Sequence, residues 1–89
     1  MKTMKIYGTE IVAKCNNQRE EKLVRIINAE LEHMVKERCY DWAVEQLCGE
    51  LCALFYLDII AEPVSLSLSF NKLFVGSKDY NTVLTVKAA

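Results

Sequence analysis

The stretch VSLSLSF, residues 64–70, decides the fold class of this chain. Four apolar side chains alternate with three serines along it, which is the pattern of a β-strand with one buried face and one wet face. Pro63 stands directly before this run. Proline has no N–H to donate and disfavours helical backbone at the preceding residue, so any helical segment is expected to end before residue 63.

Two more strands are expected downstream of this run. Residues 71–72 predict a turn, residues 73–75 a short strand, residues 76–79 a second turn and residues 80–88 a closing strand. Neither turn contains the Asn-Gly or Asp-Gly pair that marks a tight hairpin. One long hairpin over residues 64–87, with a bulge near residue 71, therefore stays open as an alternative.

The segment upstream of Pro63 predicts two helices. Apolar residues recur at helical spacing from residue 23 to residue 35, which predicts a helix over about residues 18–38, and they recur again from residue 44 to residue 55. At 100° per residue the centres of these two stripes lie roughly 120° apart, so one straight helix cannot bury both against one surface. The chain is expected to bend near residues 39–41, with Asp41 as the N-cap of the second helix.

The start of the chain predicts a strand and a capped helix. Residues 4–14 mix β-branched and aromatic side chains around Gly8, which favours one strand with a bulge at the glycine. Asn17 and Glu20 have the spacing of a capping box at the first helix. The fold expected is α+β in the order β-α-α-β-β-β, with two helices on one face of a small, mainly antiparallel sheet. Residues 1–89 are long enough for a single domain with one core.

Composition and charge exclude several classes of protein. The hydrophobic fraction of 52% is high for a chain with so little interior, which predicts that some apolar surface meets another chain. Residues 41–62 carry five acidic side chains and no Lys or Arg, a pattern that repels a phosphate backbone. The uncharged window at residues 51–57 is far shorter than the roughly 20 residues of a membrane span.

The cysteines and the amino terminus predict the compartment. No apolar run of signal-peptide length follows Met1, so we expect the mature protein to begin there. Four cysteines without a signal peptide favour reduced thiols, and hence a cytoplasmic protein.

A second apolar line on helix 2 predicts an interface. It lies on the opposite side of the helix from the core stripe and comprises Trp42, Gly49, Ala53, Tyr56, Leu57 and Ile60. A helix that is apolar on two sides must be covered on two sides, and self-association about a two-fold axis is the commonest solution. We therefore expect a homodimer through this line, although helix 1 burying it within the monomer is an alternative.

Asp58 is the one charge within residues 51–61. An unpaired ionised group in an apolar stripe costs several kcal/mol. Three outcomes are open: helix 2 ends near Leu57 and turns Asp58 to water, Asp58 pairs with Arg38 or a lysine of the sheet, or it is a functional carboxylate with a raised pKa. We favour the first, because Pro63 is near.

Catalytic and metal-binding patterns are weak. Glu30 and His33 have the helical spacing used in di-metal sites, but such sites need two of these motifs. A four-cysteine zinc site is also poorly supported. Cys48 and Cys52 are four residues apart within a helix whose pattern otherwise indicates core packing, while Cys15 and Cys39 stand alone. We expect no catalytic residue, no metal and no cofactor.

For nucleic acid, the candidates are basic residues interleaved with glutamates around the start of helix 1, and two strand tyrosines: Lys14, Arg19, Lys22, Arg25, Tyr7 and Tyr80. An acidic sequence pI near 5.8 disfavours this interpretation.

The function expected is that of a non-catalytic protein interaction module: a small cytosolic adaptor, inhibitor or regulator that acts as a homodimer on an unidentified protein partner. Small chains of this kind are frequent among accessory proteins of phages and mobile elements, an association of size alone. The alternative is a small enzyme or a ligand- or metal-binding dimer with a site at the subunit boundary, using Asp58 or Glu30 with His33. A nucleic-acid-binding module is third.

Overall fold

The computed structural model describes residues 1–78 and 81–88, and it confirms the α+β class and the order β-α-α-β-β-β, in which the first β is a pair of strands. The elements are β1 Lys2–Lys5, β2 Val12–Cys15, α1 Gln18–Lys36, α2 Asp41–Tyr56, β3 Ser65–Ser69, β4 Lys72–Gly76 and β5 Asn81–Thr85. The strands form two antiparallel sheets, β1-β2 and β3-β4-β5. The inward faces of both sheets and of both helices share one core.

The first predicted strand, over residues 4–14, is a hairpin. Gly8 adopts φ +71, and the hydroxyl of Thr9 accepts from the N–H of Ile11 and donates to the carbonyl of Ile6, so the chain reverses here. A Cβ on Gly8 would lie 2.9 Å from the side chain of Leu84, so the turn also packs closely against β5. The glycine therefore marks a turn, where the sequence predicted a bulge.

The first helix begins with the predicted capping box. The side chain of Asn17 accepts from the N–H of Glu20 at 2.9 Å. The Glu20 carboxylate reaches back to the N–H of Asn16, one residue earlier than in the usual arrangement. The helix ends at Lys36, two residues before the predicted end.

The second helix begins after a bend, as predicted, but its N-cap is Tyr40. Asp41 is the first helical residue, and no side-chain hydrogen bond caps this end. An aspartate in this position still favours the helix, because its charge lies at the positive end of the helix dipole. The bend is held by the N–H of Cys39, which donates to the carbonyl of Lys87 at 2.7 Å.

The end of α2 explains Asp58. Asp58 adopts φ +60, its N–H donates to the carbonyl of Phe55, and the N–H of Ile59 donates to the carbonyl of Leu54. These two bonds and the left-handed residue form a Schellman motif. The side chain of Asp58 is exposed, as the favoured outcome predicted. Ile59 then returns to the core.

The three-stranded sheet follows the alternation in residues 64–70. Leu66 is buried and the serines of β3 are exposed. Phe70 departs from the pattern, because β3 ends at Ser69 and residues 70–71 form the turn to β4, where the sequence had predicted a turn at residues 71–72. Two of the residues assigned to the last turn and strand, Asp79 and Tyr80, lie outside the described residues.

Candidate functional site

The outward face of α2 carries large apolar side chains in solvent. Trp42 is 65% exposed near the first turn and Tyr56 is 81% exposed at the last helical residue. Gly49 and Ala53 are exposed between them, and Leu57, 57% exposed, follows directly. We call these five residues the α2 stripe. Since all five are open in the monomer, the alternative in which helix 1 covers them does not apply.

Ile60, the sixth residue of the predicted line, does not belong to this surface. It is 1% exposed and pairs with Ala13 on the edge of β2. The prediction extended the helical projection to residue 60, whereas the helix ends at Tyr56 and the chain reverses at Asp58. The backbone after Asp58 is extended into the first sheet, which turns Ile60 inward.

The centre of the α2 stripe is flat. A Cβ built on Gly49 would have no neighbouring atom of the described chain within 4 Å, apart from its own helix backbone. The next stripe residue, one turn further on, is Ala53. Small side chains at this spacing let a second helix approach more closely than the usual 8–10 Å between helix axes. The side chains of the α2 stripe are therefore small in the middle and large at both ends.

A groove lies between α1 and α2 beside Trp42. It has a volume of about 350 Å³ and is lined by Ala29, Glu30, His33, Met34, Arg38, Tyr40, Trp42, Ala43 and Gln46. The ring of Trp42 stacks on Tyr40, with 5.8 Å between the ring centroids and 26° between their planes. The lining combines apolar side chains with a few polar groups, which is the usual composition of a binding pocket.

Two carboxyl groups meet where the helices pack. Burial, then the charge of Glu50 and a side-chain hydrogen bond with it, raise the pKa of Glu30. Glu50 Oε2 is fully buried and accepts from no donor of the described residues, whereas Glu50 Oε1 accepts from Gln46 Nε2 at 3.4 Å. A proton on Glu30 allows the two carboxyls to share a hydrogen bond, so Glu30 retains its proton to higher pH than an isolated glutamate.

The turn between β3 and β4 presents an aromatic ring to solvent. Phe70 is 90% exposed and adopts φ +54. It is the first of two loop residues between the paired Ser69 and Lys72, the position that favours glycine in a type II′ turn. A second concavity of about 340 Å³ joins this ring to Tyr40, Asp41 and Trp42.

Two of the four cysteines, Cys15 and Cys39, have thiols that are less acidic than usual. All four are free. Burial raises the pKa of the Cys15 and Cys39 thiols, and nearby carboxylates raise the pKa of each further. A thiol with a raised pKa is protonated at neutral pH and is a poor nucleophile. Cys48 is half-buried, with its sulfur 3.5 Å from the carbonyl of Leu66, and Cys52 is exposed beside the α2 stripe.

The candidate catalytic and metal residues are only partly brought together. Glu30 and His33 line the same groove, whereas Asp58 lies beyond the other end of α2. Within residues 1–78 and 81–88, no group of three or more His, Cys, Asp or Glu side chains could hold a metal ion.

The basic residues near α1 are exposed, and Arg25 pairs with Glu21 at 3.3 Å. Lys2 pairs with the same carboxylate at 3.6 Å, which reduces the local positive charge. Tyr7 is half-buried, and its backbone N–H donates to the side chain of Asn28. The surface around the start of α1 therefore carries both positive and negative charges.

Three features of the site were not predicted from the sequence. The groove and the Glu30–Glu50 contact depend on how the helices are rotated against each other, which no local pattern reports. The sequence indicates only weakly that Phe70 is a turn residue. The signal is that Phe-Asn stands between two alternating runs, where a two-residue loop would be placed.

No family model, curated protein or solved structure matches this chain. No helix in the described part of the chain is long and apolar enough to cross a membrane.

Proposed function

We propose that this protein is a non-catalytic protein interaction module that acts as a homodimer through the α2 stripe. It would work in the cytosol as an adaptor, inhibitor or regulator of a protein partner. The observation that supports this most directly is the exposure of Trp42 and Tyr56 on α2 and of Leu57 directly after it. Exposed aromatic side chains grouped on one face are typical of protein interfaces, where they supply much of the binding energy.

Features of the rest of the stripe agree with a helical partner. Gly49 and Ala53 leave room for a backbone in the middle, where larger side chains would keep a second helix away. Glu45 and Gln46 are exposed between Trp42 and Gly49, so the face also has polar groups that can hydrogen-bond across an interface, although the Gln46 amide donates to Glu50 Oε1 at 3.4 Å within the monomer.

The test is the mass of the full chain in solution. Analytical ultracentrifugation over a wide concentration range is expected to show wild type moving toward twice 10.2 kDa. Tyr56→Glu places a charge on the stripe and should keep the protein at 10.2 kDa. Val83→Glu, on the exposed face of β5, is the matched control and should still dimerise. A wild type that stays monomeric throughout would contradict the proposal.

A small enzyme or ligand-binding dimer is the second candidate. One observation favours it: Glu30, with its raised pKa, lines the groove together with His33. Carboxyls with perturbed pKa values in clefts are candidates for acid–base chemistry. His33→Ala should leave dimerisation and partner binding intact if the protein is an interaction module, and should abolish activity if this candidate is correct.

A further inference from the structure

The two aromatic ends of the α2 stripe are placed symmetrically. Trp42 lies seven residues before Gly49 and Tyr56 lies seven residues after it. Seven residues are two helical turns, so the Cα atom of each aromatic residue is about 10 Å from that of Gly49 along the helix axis, on the same side of the helix. The least bulky point of the stripe is therefore midway between its two largest side chains.

A two-fold axis makes use of this symmetry. When two copies of α2 pack antiparallel with the axis at Gly49, Trp42 of each chain lies level with Tyr56 of the partner subunit. The same arrangement puts the closest approach of the backbones at the residue that has no side chain. A parallel pair would instead bring each aromatic ring against its own copy.

The groove beside Trp42 provides a place for the incoming ring. Ala29, Met34 and Ala43 give it apolar walls, and Glu30 and His33 provide polar atoms. A tyrosine has an apolar ring and a hydroxyl that needs a hydrogen-bond partner when buried, which matches that lining. In the monomer, the Tyr56 ring is 81% exposed and lies at the far end of the same helix.

We propose that two copies associate antiparallel about Gly49 and that Tyr56 of each chain fills the groove beside Trp42 of the other. This proposal rests on the proposed dimer and specifies its geometry. The site is incomplete in one chain, because the groove and the ring that fills it are at opposite ends of α2.

The charged side chains near the groove and near Tyr56 are compatible with a second copy of this chain as the occupant of the groove. Arg38 lines the groove, and the exposed Asp58 follows Tyr56 by two residues, so opposite charges approach when the ring enters. Asp41 lies at nearly the same level along the pair, and Arg38 is the basic side chain that offsets the two carboxylates. The two copies of Glu45 would lie about 12 Å apart along the axis. That separation exceeds the Debye length of about 8 Å at physiological salt, so their repulsion is weak.

The experiment is a charge-complementation test with Trp42→Lys and Tyr56→Glu. Each variant alone loses both ring contacts and is expected to bind itself at least about 30-fold more weakly than wild type, as for loss of an interface hot spot. In an equimolar mixture, the antiparallel heterodimer retains one Trp42–Tyr56 contact and gains one Lys–Glu pair. The mixture should therefore dimerise within about 10-fold of wild type.

A second pair of variants keeps the test independent of the aromatic residues. Gln46 and Ala53 are both exposed, and they lie three residues before and four residues after Gly49. In a Cys52→Ser background, Gln46→Cys mixed with Ala53→Cys should form a 46–53 disulfide between chains under mild oxidation. A parallel dimer would favour 46–46 and 53–53 links in the separate samples.

The outcomes separate the two proposals. A monomeric wild type would overturn both. A dimeric wild type with monomeric single variants, no rescue in the mixture and no 46–53 link would overturn the antiparallel geometry alone and leave the α2 stripe as the interface. Single variants that dimerise like wild type would place the interface elsewhere and overturn both.

Discussion

The carboxyl groups of Glu30 on α1 and Glu50 on α2 contact each other where the two helices pack, and this contact favours a protonated Glu30. The pair is thus a pH-dependent contact inside the fold. A group with a raised pKa stabilises the folded state fully below its ordinary value, 4.5 for Glu30, and that stabilisation is lost as the pH rises through the raised pKa.

Glu30→Gln should remove this dependence, because an amide does not titrate in this range and can donate to the Glu50 carboxylate at every pH. The melting temperature of Glu30→Gln is expected to match wild type below about pH 4, to exceed it increasingly as the pH rises through the raised pKa of Glu30, and to differ by a constant amount at higher pH. Glu32→Gln is the control, since Glu32 pairs with Lys36 on the exposed side of α1. A Tm difference between Glu30→Gln and wild type that stays constant with pH would contradict the assignment.

Phe70→Gly should stabilise the protein. Its φ of +54 is a left-handed conformation that costs a bulky residue about 1–2 kcal/mol and costs glycine little, while the exposed ring contributes little burial. After the higher chain entropy of glycine is subtracted, a gain of about 1 kcal/mol in the free energy of unfolding is expected from urea titration. Phe70→Ala is the control, because alanine removes the ring and keeps the left-handed strain. A loss of stability in Phe70→Gly would show instead that the ring contributes to packing.

The types and order of the elements could be predicted because each follows from a local period. The alternation from Val64 to Ser69 and the two apolar helical stripes both report burial directly. The position of each chain reversal could not be predicted in the same way. Ile6 and Ile11 both fit a strand, and only the left-handed backbone of Gly8 shows that they lie on either side of a turn.

The candidate site was predictable where it depends on one helix and unpredictable where it depends on two elements. Trp42 and Tyr56 are exposed as expected, because the core stripe of α2 leaves them on the other side. The prediction that Ile60 belongs to the exposed line was wrong, because the Schellman motif at Asp58 ends the helix before residue 60. The prediction that Phe70 continues the buried face of the strand was wrong, because the pairing of Ser69 with Lys72 places Phe70 in the turn. Pairing register is a tertiary property.

Asn17→Ala should weaken the start of α1. It removes the 2.9 Å bond from the N–H of Glu20, and loss of such a cap costs about 1 kcal/mol. Asn16→Ala is a matched control, because Asn16 contributes only its backbone N–H to the cap. Thermal unfolding should show a lower Tm for Asn17→Ala and little change for Asn16→Ala. Equal effects would mean that the Asn17 side chain does not cap the helix.

Gly49→Ala should change stability and association in opposite directions. In the monomer the added methyl meets nothing within 4 Å, and alanine in an exposed helix is about 0.5–1 kcal/mol more favourable than glycine. In the dimer the same methyl lies where the two backbones come closest, so dissociation should become easier.

Urea unfolding at a concentration low enough to keep the chain monomeric measures the first effect, and sedimentation equilibrium at higher concentration measures the second. Ala53→Gly is the reciprocal control, expected to lower monomer stability while adding no volume to the interface. If Gly49→Ala raises stability and leaves the Kd unchanged, the helices of a dimer do not approach each other at Gly49, because a methyl at their closest contact could not be accommodated without cost.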